Sequence, residues 1–259
     1  MPIANVNGQS IHYSDSGGHG PAVIFSHGFL MDLSMFDAQV GALAGEYRCI
    51  AWDERGFGRT PARGPFSYWD SANDAVALLD HLQIEKAVFV GMSQGGFLSL
   101  RAALSHPDRV AGIVIIASET AAPSEEQIEA YKALFGQWQS AAQLGELADT
   151  VASLIIDNPD IARDWIAKWN ASDRSSLREP LEALLFRDDI TGRIGEIRCP
   201  VLIIHGENDQ AIPMQAAEDL RDGLPDCREL VTVPGAAHAP NMTHPEPVNA
   251  AIARFLREL

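Results

Sequence analysis

The sequence predicts an α/β fold: a mostly parallel, eight-stranded sheet with helices on both faces and a helical segment inserted after the sixth strand. Two observations carry the sheet. Short apolar runs rich in Val and Ile, such as Ala22–Ser26 and Val201–His205, alternate with stretches of helical periodicity along most of the chain. Strands that alternate with helices form a sheet whose two faces are both covered. The third observation is a break in that rhythm. From about Glu119 to Arg193 the sequence is helix-forming throughout, has no convincing strand and contains Trp138, Trp165 and Trp169.

Taken in order, strands are expected at residues 2–6 and 10–15, then a Ser-Gly-Gly-His-Gly-Pro turn, then the strand Ala22–Ser26. A helix at Ser34–Ala44 and a strand at Tyr47–Trp52 follow. The stretch Trp69–Leu82 places Ala72, Ala75, Val76, Leu79 and Leu82 at helical spacing. Next come the strand Ala87–Gly91, a corner at Ser93, a helix to about Ser105 and the strand Val110–Ala117. Beyond the helical break the rhythm resumes with Val201–His205, a helix near Gln215–Gly223, the strand Glu229–Val233 and a helix from Pro245. The expected organisation is a core of residues 1–118 and 194–259 with a helical cap of 119–193.

At 259 residues, with 46% hydrophobic and 21% charged residues, such a chain can bury a sizeable core without metal or disulfide staples. The formal charge of −16 argues against nucleic acid, which needs clustered Lys and Arg, and implies an acidic, solvated surface. Cys49, Cys199 and Cys227 are odd in number, and the first two sit in or beside apolar runs, so buried thiols and a reducing compartment are expected. Neither a signal peptide nor an apolar run long enough to span a bilayer is read from the chain, so a cytoplasmic location away from membranes is expected.

Gly91-Met92-Ser93-Gln94-Gly95 sets a serine between an apolar strand and a helix, flanked by glycines. A sharp strand-to-helix turn leaves no room for side chains beside the serine and exposes its Oγ above the sheet. The helix N-terminus then directs backbone N–H groups at any charge that develops there. A serine hydroxyl needs a base to become a nucleophile. His238 lies among small residues in the loop after Glu229–Val233, whereas His244 precedes Pro245 at a helix start and reads as solvated; His205 falls inside an apolar strand and reads as packed. The base is therefore His238. An imidazole base needs an orienting carboxylate. Asp209 ends the strand-turn Gly206-Glu207-Asn208-Asp209, and Glu119 follows Val110–Ala117 and can reach the same space. The amide of Gln94 and that of Phe29, after the turn His27-Gly28, are the expected oxyanion donors.

These pieces together resemble the α/β-hydrolase superfamily along nearly the whole chain: Ser26-His27-Gly28-Phe29, Asp53 to Thr60 (Asp-Glu-Arg-Gly-Phe-Gly-Arg-Thr), Gly91 to Gly96, Gly206 to Asp209 and Gly235-Ala236-Ala237-His238. Thr60 stands where the family usually carries Ser. The resemblance implies a Ser93–His238–Asp209 triad, in the chain order Ser, Asp, His, and favours Asp209 over Glu119. It also implies a carboxylic ester hydrolase, an esterase or lactonase, working through an acyl-enzyme without cofactor or metal on a small-molecule substrate. Dehalogenases and epoxide hydrolases of this fold carry Asp at the nucleophile position, and Phe29-Leu30 after the His-Gly pair argues against proline iminopeptidases and carbon–carbon hydrolases. The stretch from Leu185 to Asp209 is similar to 3-oxoadipate enol-lactonase-like proteins; cofactor-free haloperoxidase-like perhydrolases are similar as well. An acyltransferase or perhydrolase using the same triad, and a ligand receptor on this scaffold, are the alternatives. Met31, Met92, Trp138, Trp165 and Trp169 are expected to line an apolar acyl pocket, with the tryptophans tuning chain-length preference.

Overall fold

A computed structural model of the protein describes residues 2–259. Eight strands, Ile3–Val6 (β1), Gln9–Asp15 (β2), Ala22–Ser26 (β3), Arg48–Trp52 (β4), Ala87–Met92 (β5), Val110–Ile116 (β6), Val201–Gly206 (β7) and Cys227–Val233 (β8), form one sheet in the order β1-β2-β4-β3-β5-β6-β7-β8. β1–β2 and β2–β4 pair antiparallel, and every later pair is parallel. The β1–β2 hairpin closes on Asn7-Gly8, both at positive φ (+49° and +74°), the conformation a tight hairpin turn requires.

The central strands β3, β5 and β7 are buried at every residue, as strands covered on both faces must be. Their side chains alternate between two apolar clusters. Val23, Phe25, Val88, Val90, Val114 and Ile204 face one side, packing with Phe36 and with Ile252 and Phe255. Ile24, Phe89, Ile113, Ile115, Val201 and Ile203 face the other, against Leu78, Leu79, Leu98 and Leu220. The helices are Asp37–Leu43 (α1), Tyr68–His81 (α2), Gln94–Ser105 (α3), Glu125–Ser140 (α4), Glu146–Ile155 (α5), Pro159–Ala171 (α6), Arg178–Leu185 (α7), Met214–Gly223 (α8), Pro240–Thr243 (α9) and Pro245–Arg257 (α10). The short α9 directly follows the His238 loop and was not expected from the sequence.

The four helices α4 to α7 all lie between β6 and β7, in the stretch where the strand rhythm breaks. Local sequence starts them: Ser124 and Gln127 form a reciprocal capping box on α4, and the Asn158 side chain caps α6 with Pro159 in its first turn. Past α7 the chain returns to the sheet. Ile190, Ile194 and Ile197 join the cluster under α3 and α8, so core packing resumes ahead of residue 194. Cys49 is buried as expected, but Cys199 is only half-buried, because it sits just before β7 where the strand is not yet covered.

β3 has β4 on one side and β5 on the other, so successive crossovers leave it in opposite directions. A crevice opens at the carboxyl ends of strands at such a point. The loop after β3 and the corner after β5 therefore meet, with Ser26 paired beside Gly91.

Candidate active site

Ser93 occupies the corner between β5 and α3 at φ +51° and ψ −114°, a conformation that costs a non-glycine residue roughly 1–3 kcal/mol. Neighbouring bonds hold it there. Its N–H donates to Ile116 O at 2.9 Å, and its carbonyl accepts from Gly96 N at 2.8 Å and from Ser118 Oγ at 2.8 Å. Bare glycines make the corner possible: a methyl at Gly91 would overlap the Gly95 carbonyl, and one at Gly95 would overlap the Ser26 carbonyl.

The loop after β3 is oriented by a buried histidine. His27 Nδ1 lies 2.8 Å from Gly28 O, and its Nε2 accepts from Glu54 N at 3.0 Å. These contacts fix a neutral ring with its proton on Nδ1, and burial pushes its pKa below the usual imidazole range. With the Gly28 carbonyl held toward His27, the trans peptide turns the Phe29 N–H the opposite way. Among the described residues neither Phe29 N nor Gln94 N donates to a protein acceptor. The Gln94 side chain is buried and accepts from Tyr68 Oη at 3.3 Å, and its backbone N–H opens α3 directly after Ser93.

Asp209 and His238 come from the ends of β7 and β8. His238 Nδ1 lies 2.8 Å from Asp209 Oδ2, while Asp209 Oδ1 accepts from the N–H groups of Ala211 (2.8 Å) and Ile212 (3.0 Å). Burial opposes charge on this carboxyl, but the hydrogen bond and charge of His238 and the Ile212 amide outweigh it and hold the pKa below the usual carboxylate range. His205, expected to be packed, is fully buried, and it also stands behind the acid: its Nε2 lies 3.0 Å from Ile212 O and 3.5 Å from Asp209 Oδ2. Glu119 makes no hydrogen bond with His238. Its Oε1 accepts from Arg187 Nη2 at 2.5 Å. His244 is half-buried and bonds Thr243 Oγ1.

Ser93 and His238 line one cavity of about 130 Å³, without a hydrogen bond between them in this structure. Gly28, Phe29, Met31 and Met92 form its floor side. The opposite wall comes from the inserted helices, with Tyr131, Leu134 and Phe135 on α4 and Val151, Leu154 and Ile155 on α5. Glu119 and Arg187 also reach it. The sequence reading did not find Arg187 or these helical residues; it gave a helix-forming insertion but not which of its side chains would meet the sheet ends.

The three tryptophans are placed differently from expectation. Trp138, Trp165 and Trp169 are buried but line a separate, larger crevice of about 1110 Å³, against Asp32 to Ser34 and the Asp53–Thr60 turn, and none lines the Ser93 cavity. The reason is packing. Trp138 and Trp169 meet edge to face at 5.4 Å, Trp169 Nε1 donates to Leu30 O at 2.8 Å, and the Trp165 ring carries the Lys168 ammonium 4.0 Å from its centroid. They hold the insertion onto the loop that follows Phe29.

The family model for the alpha/beta hydrolase fold matches residues 21–154 and 153–245. The chain is 29% identical over 245 residues to 3-oxoadipate enol-lactonase 2 of Acinetobacter baylyi, covering 92% of this chain and 89% of that one. It is 27% identical over 245 residues to a pimeloyl-[acyl-carrier protein] methyl ester esterase of Edwardsiella ictaluri, covering 90% and 92%. The structure of the enol-lactonase from Burkholderia xenovorans LB400 superposes with a TM-score of 0.90 at 26% identity, covering 99% of this chain and all of that one.

Proposed function

The chain belongs to the alpha/beta hydrolase fold family, and we propose that it is a serine hydrolase cleaving a small carboxylic ester or lactone through an acyl-enzyme. The observation that carries this is that Ser93, Phe29 and His238, the last bonded to Asp209, line one cavity, while the Gln94 N–H, uncommitted like that of Phe29, follows Ser93 directly in the chain. Relatives named as a lactonase and as an ester esterase support the same substrate class.

In this mechanism Ser93 Oγ attacks the carbonyl carbon as its proton passes to His238 Nε2. The carbonyl oxygen, now an oxyanion, accepts from Phe29 N–H and Gln94 N–H. Collapse breaks the carbon–oxygen bond to the alcohol, and His238 returns the proton to the departing alkoxide. A water then gives its proton to His238 and attacks the acyl carbon, which frees Ser93 and the acid. Asp209 keeps the His238 Nδ1–H oriented and balances the imidazolium at each half-step. The cavity is small beside ordinary ligand pockets of about 300–1,000 Å³, which supports a short acyl group.

The chain is read as a core of 1–118 and 194–259 with residues 119–193 as a cap; the α4 and α5 side chains opposite Ser93 support that organisation. Among the described residues no helix is long and apolar enough to cross a membrane. The three free thiols support a cytoplasmic setting.

Ser93→Ala tests the nucleophile. It should abolish turnover of a chromogenic short-chain ester, leaving the thermal melting temperature close to that of the parent. Near-parental activity in the purified, folded variant would overturn the assignment.

A further inference from the structure

Among the described residues the cavity at Ser93 is lined mostly by apolar side chains; besides Ser93, His238 and the Tyr131 phenol, its polar side chains are Glu119 and Arg187. Arg187 has each of its three side-chain nitrogens bonded to the protein. Its Nε donates to Ala121 O (3.2 Å), its Nη1 to Leu184 O (3.0 Å) and its Nη2 to Glu119 Oε1 (2.5 Å), while the guanidinium lies 4.7 Å from the centroid of the Phe97 ring. Its side chain is 3% exposed against 16% for Glu119, so the carboxylate stands in front and the cation behind. Glu119 Oε2 has no partner among the described residues and is not sealed from solvent.

We propose that Glu119, backed by Arg187, is a specificity-determining acceptor that makes this cavity select short, neutral esters whose acyl group carries a hydroxyl, over esters bearing a carboxylate in its place. This rests on the Ser93 reading and adds the substrate class to it. A carboxylate oxygen facing an apolar cavity loses water when an acyl group enters, and that loss is restored only by a donor on the acyl group. A hydroxyl supplies one. A plain alkyl chain does not, and a second carboxylate brings like charges together where water screens them poorly. The Arg187 counter-ion leaves the pair neutral overall, so an ammonium gains less there than a charge alone would give it.

The experiment compares methyl butyrate, methyl 3-hydroxybutyrate and monomethyl succinate at about pH 8, where carboxyls are ionised. The parent enzyme should cleave the hydroxy ester about threefold faster, by kcat/KM, than the butyrate, and the succinate half-ester at least about tenfold more slowly. Glu119→Gln keeps an oxygen for Arg187 but unmasks its charge and turns the free carboxylate oxygen into an amide N–H2, so the hydroxyl advantage should shrink and half-ester turnover should rise about tenfold. Equal rates for half-ester and butyrate in the parent enzyme overturn the proposal, and that arm needs no variant to fold. So does a Glu119→Gln effect that scales all three esters alike. Turnover of methyl butyrate that is lost in Ser93→Ala reports separately on the Ser93 reading. If no ester is cleaved, thermal stabilisation by the uncleaved probes decides: 3-hydroxybutyramide must stabilise the protein more than succinamate, and equal or reversed shifts overturn the selectivity.

Discussion

The two walls of the Ser93 cavity are built by different means. On the sheet side, backbone geometry fixes nearly everything: a left-handed Ser93, glycines whose hydrogens touch carbonyls, a His27 ring that turns one peptide, and a carboxylate held by two amides. On the helical side, side chains of α4 and α5 fill space and carry few polar contacts. The helical side nevertheless grips the sheet side at two places. Lys168 Nζ donates to Ser34 Oγ at 2.6 Å and Asp32 Oδ2 at 3.1 Å, and Trp169 holds Leu30 O, all in the stretch that follows Phe29. At the other end, Ala239 N donates to Ile155 O at 3.0 Å and Ala237 N to Asp157 Oδ2 at 3.1 Å, so the insertion brackets His238 from both flanks. The contrast teaches a division of labour. In the proposed reaction the sheet ends would set the chemistry, and the helices would set both what enters and how firmly the two loops at Ser93 are held.

The largest expected effect lies on the sheet side. Asp209→Asn leaves the shape intact but favours the wrong imidazole tautomer, a change that costs about 10⁴ in turnover in a serine protease triad. Glu119→Gln, one strand away and bonded to Arg187 instead, should cost less than about tenfold with a plain short ester. Measured at one pH with one activated ester, a reversed order of the two losses would show that Glu119 orients the base and that the bonded His238–Asp209 pair is not the working one.

A smaller effect is expected where the helical side reaches across. Asp157 is exposed and touches neither cavity nor triad, yet its carboxylate holds the amide directly before His238. Asp157→Ala should lower kcat about tenfold, because a loosened base is misplaced by fractions of an ångström, with KM and melting temperature little changed. Asp157→Asn keeps an acceptor oxygen and should restore most of kcat. An alanine variant with parental kcat, or an asparagine variant no better than alanine, removes the claim that the insertion steadies the base.

The same division explains how much was legible in the sequence. Where backbone is pressed against backbone, only certain residues fit, so Gly91, Ser93, Gly95 and the turn ending at Asp209 announce themselves by type and spacing. Strand and helix order was legible because strands buried on both faces read as short continuous apolar runs, set apart from the longer helical periodicity between them. The helical wall imposes only a buried face. Trp138, Trp165 and Trp169 were read as lining of the acyl pocket and instead border a different crevice, because which cavity they meet depends on helix packing angles that no local pattern encodes. Arg187 was hidden because two of its partners, Glu119 and Ala121, reach it only by the closing of a long insertion. His205 was legible as packed, but not as the ring behind Asp209, because that depends on how the turn after β7 folds back on the strand.

The smallest expected effect follows from the tryptophans' true position. Trp169→Phe keeps an aromatic ring beside Trp138 but removes the Nε1–H donated to Leu30 O. Leu30 itself sits at φ +67°, so its carbonyl is held in a conformation that a non-glycine residue adopts only under restraint. Freed of that bond, the loop should hold the Phe29 amide less firmly against the oxyanion. One neutral hydrogen bond is worth about 1 kcal/mol, which corresponds to about a fivefold loss of kcat/KM. Because the bond acts through the oxyanion donor and not through a cavity wall, the loss should be the same for acetyl, butyryl and hexanoyl esters. Trp165→Phe, which touches Lys168 and no reactive loop, should change little. Phe135→Ala, which does line the Ser93 cavity, should instead shift preference toward longer acyl chains. A Trp169→Phe variant that alters chain-length preference as Phe135→Ala does would return the tryptophans to the acyl pocket and erase the distinction between a wall that selects and a helix that steadies.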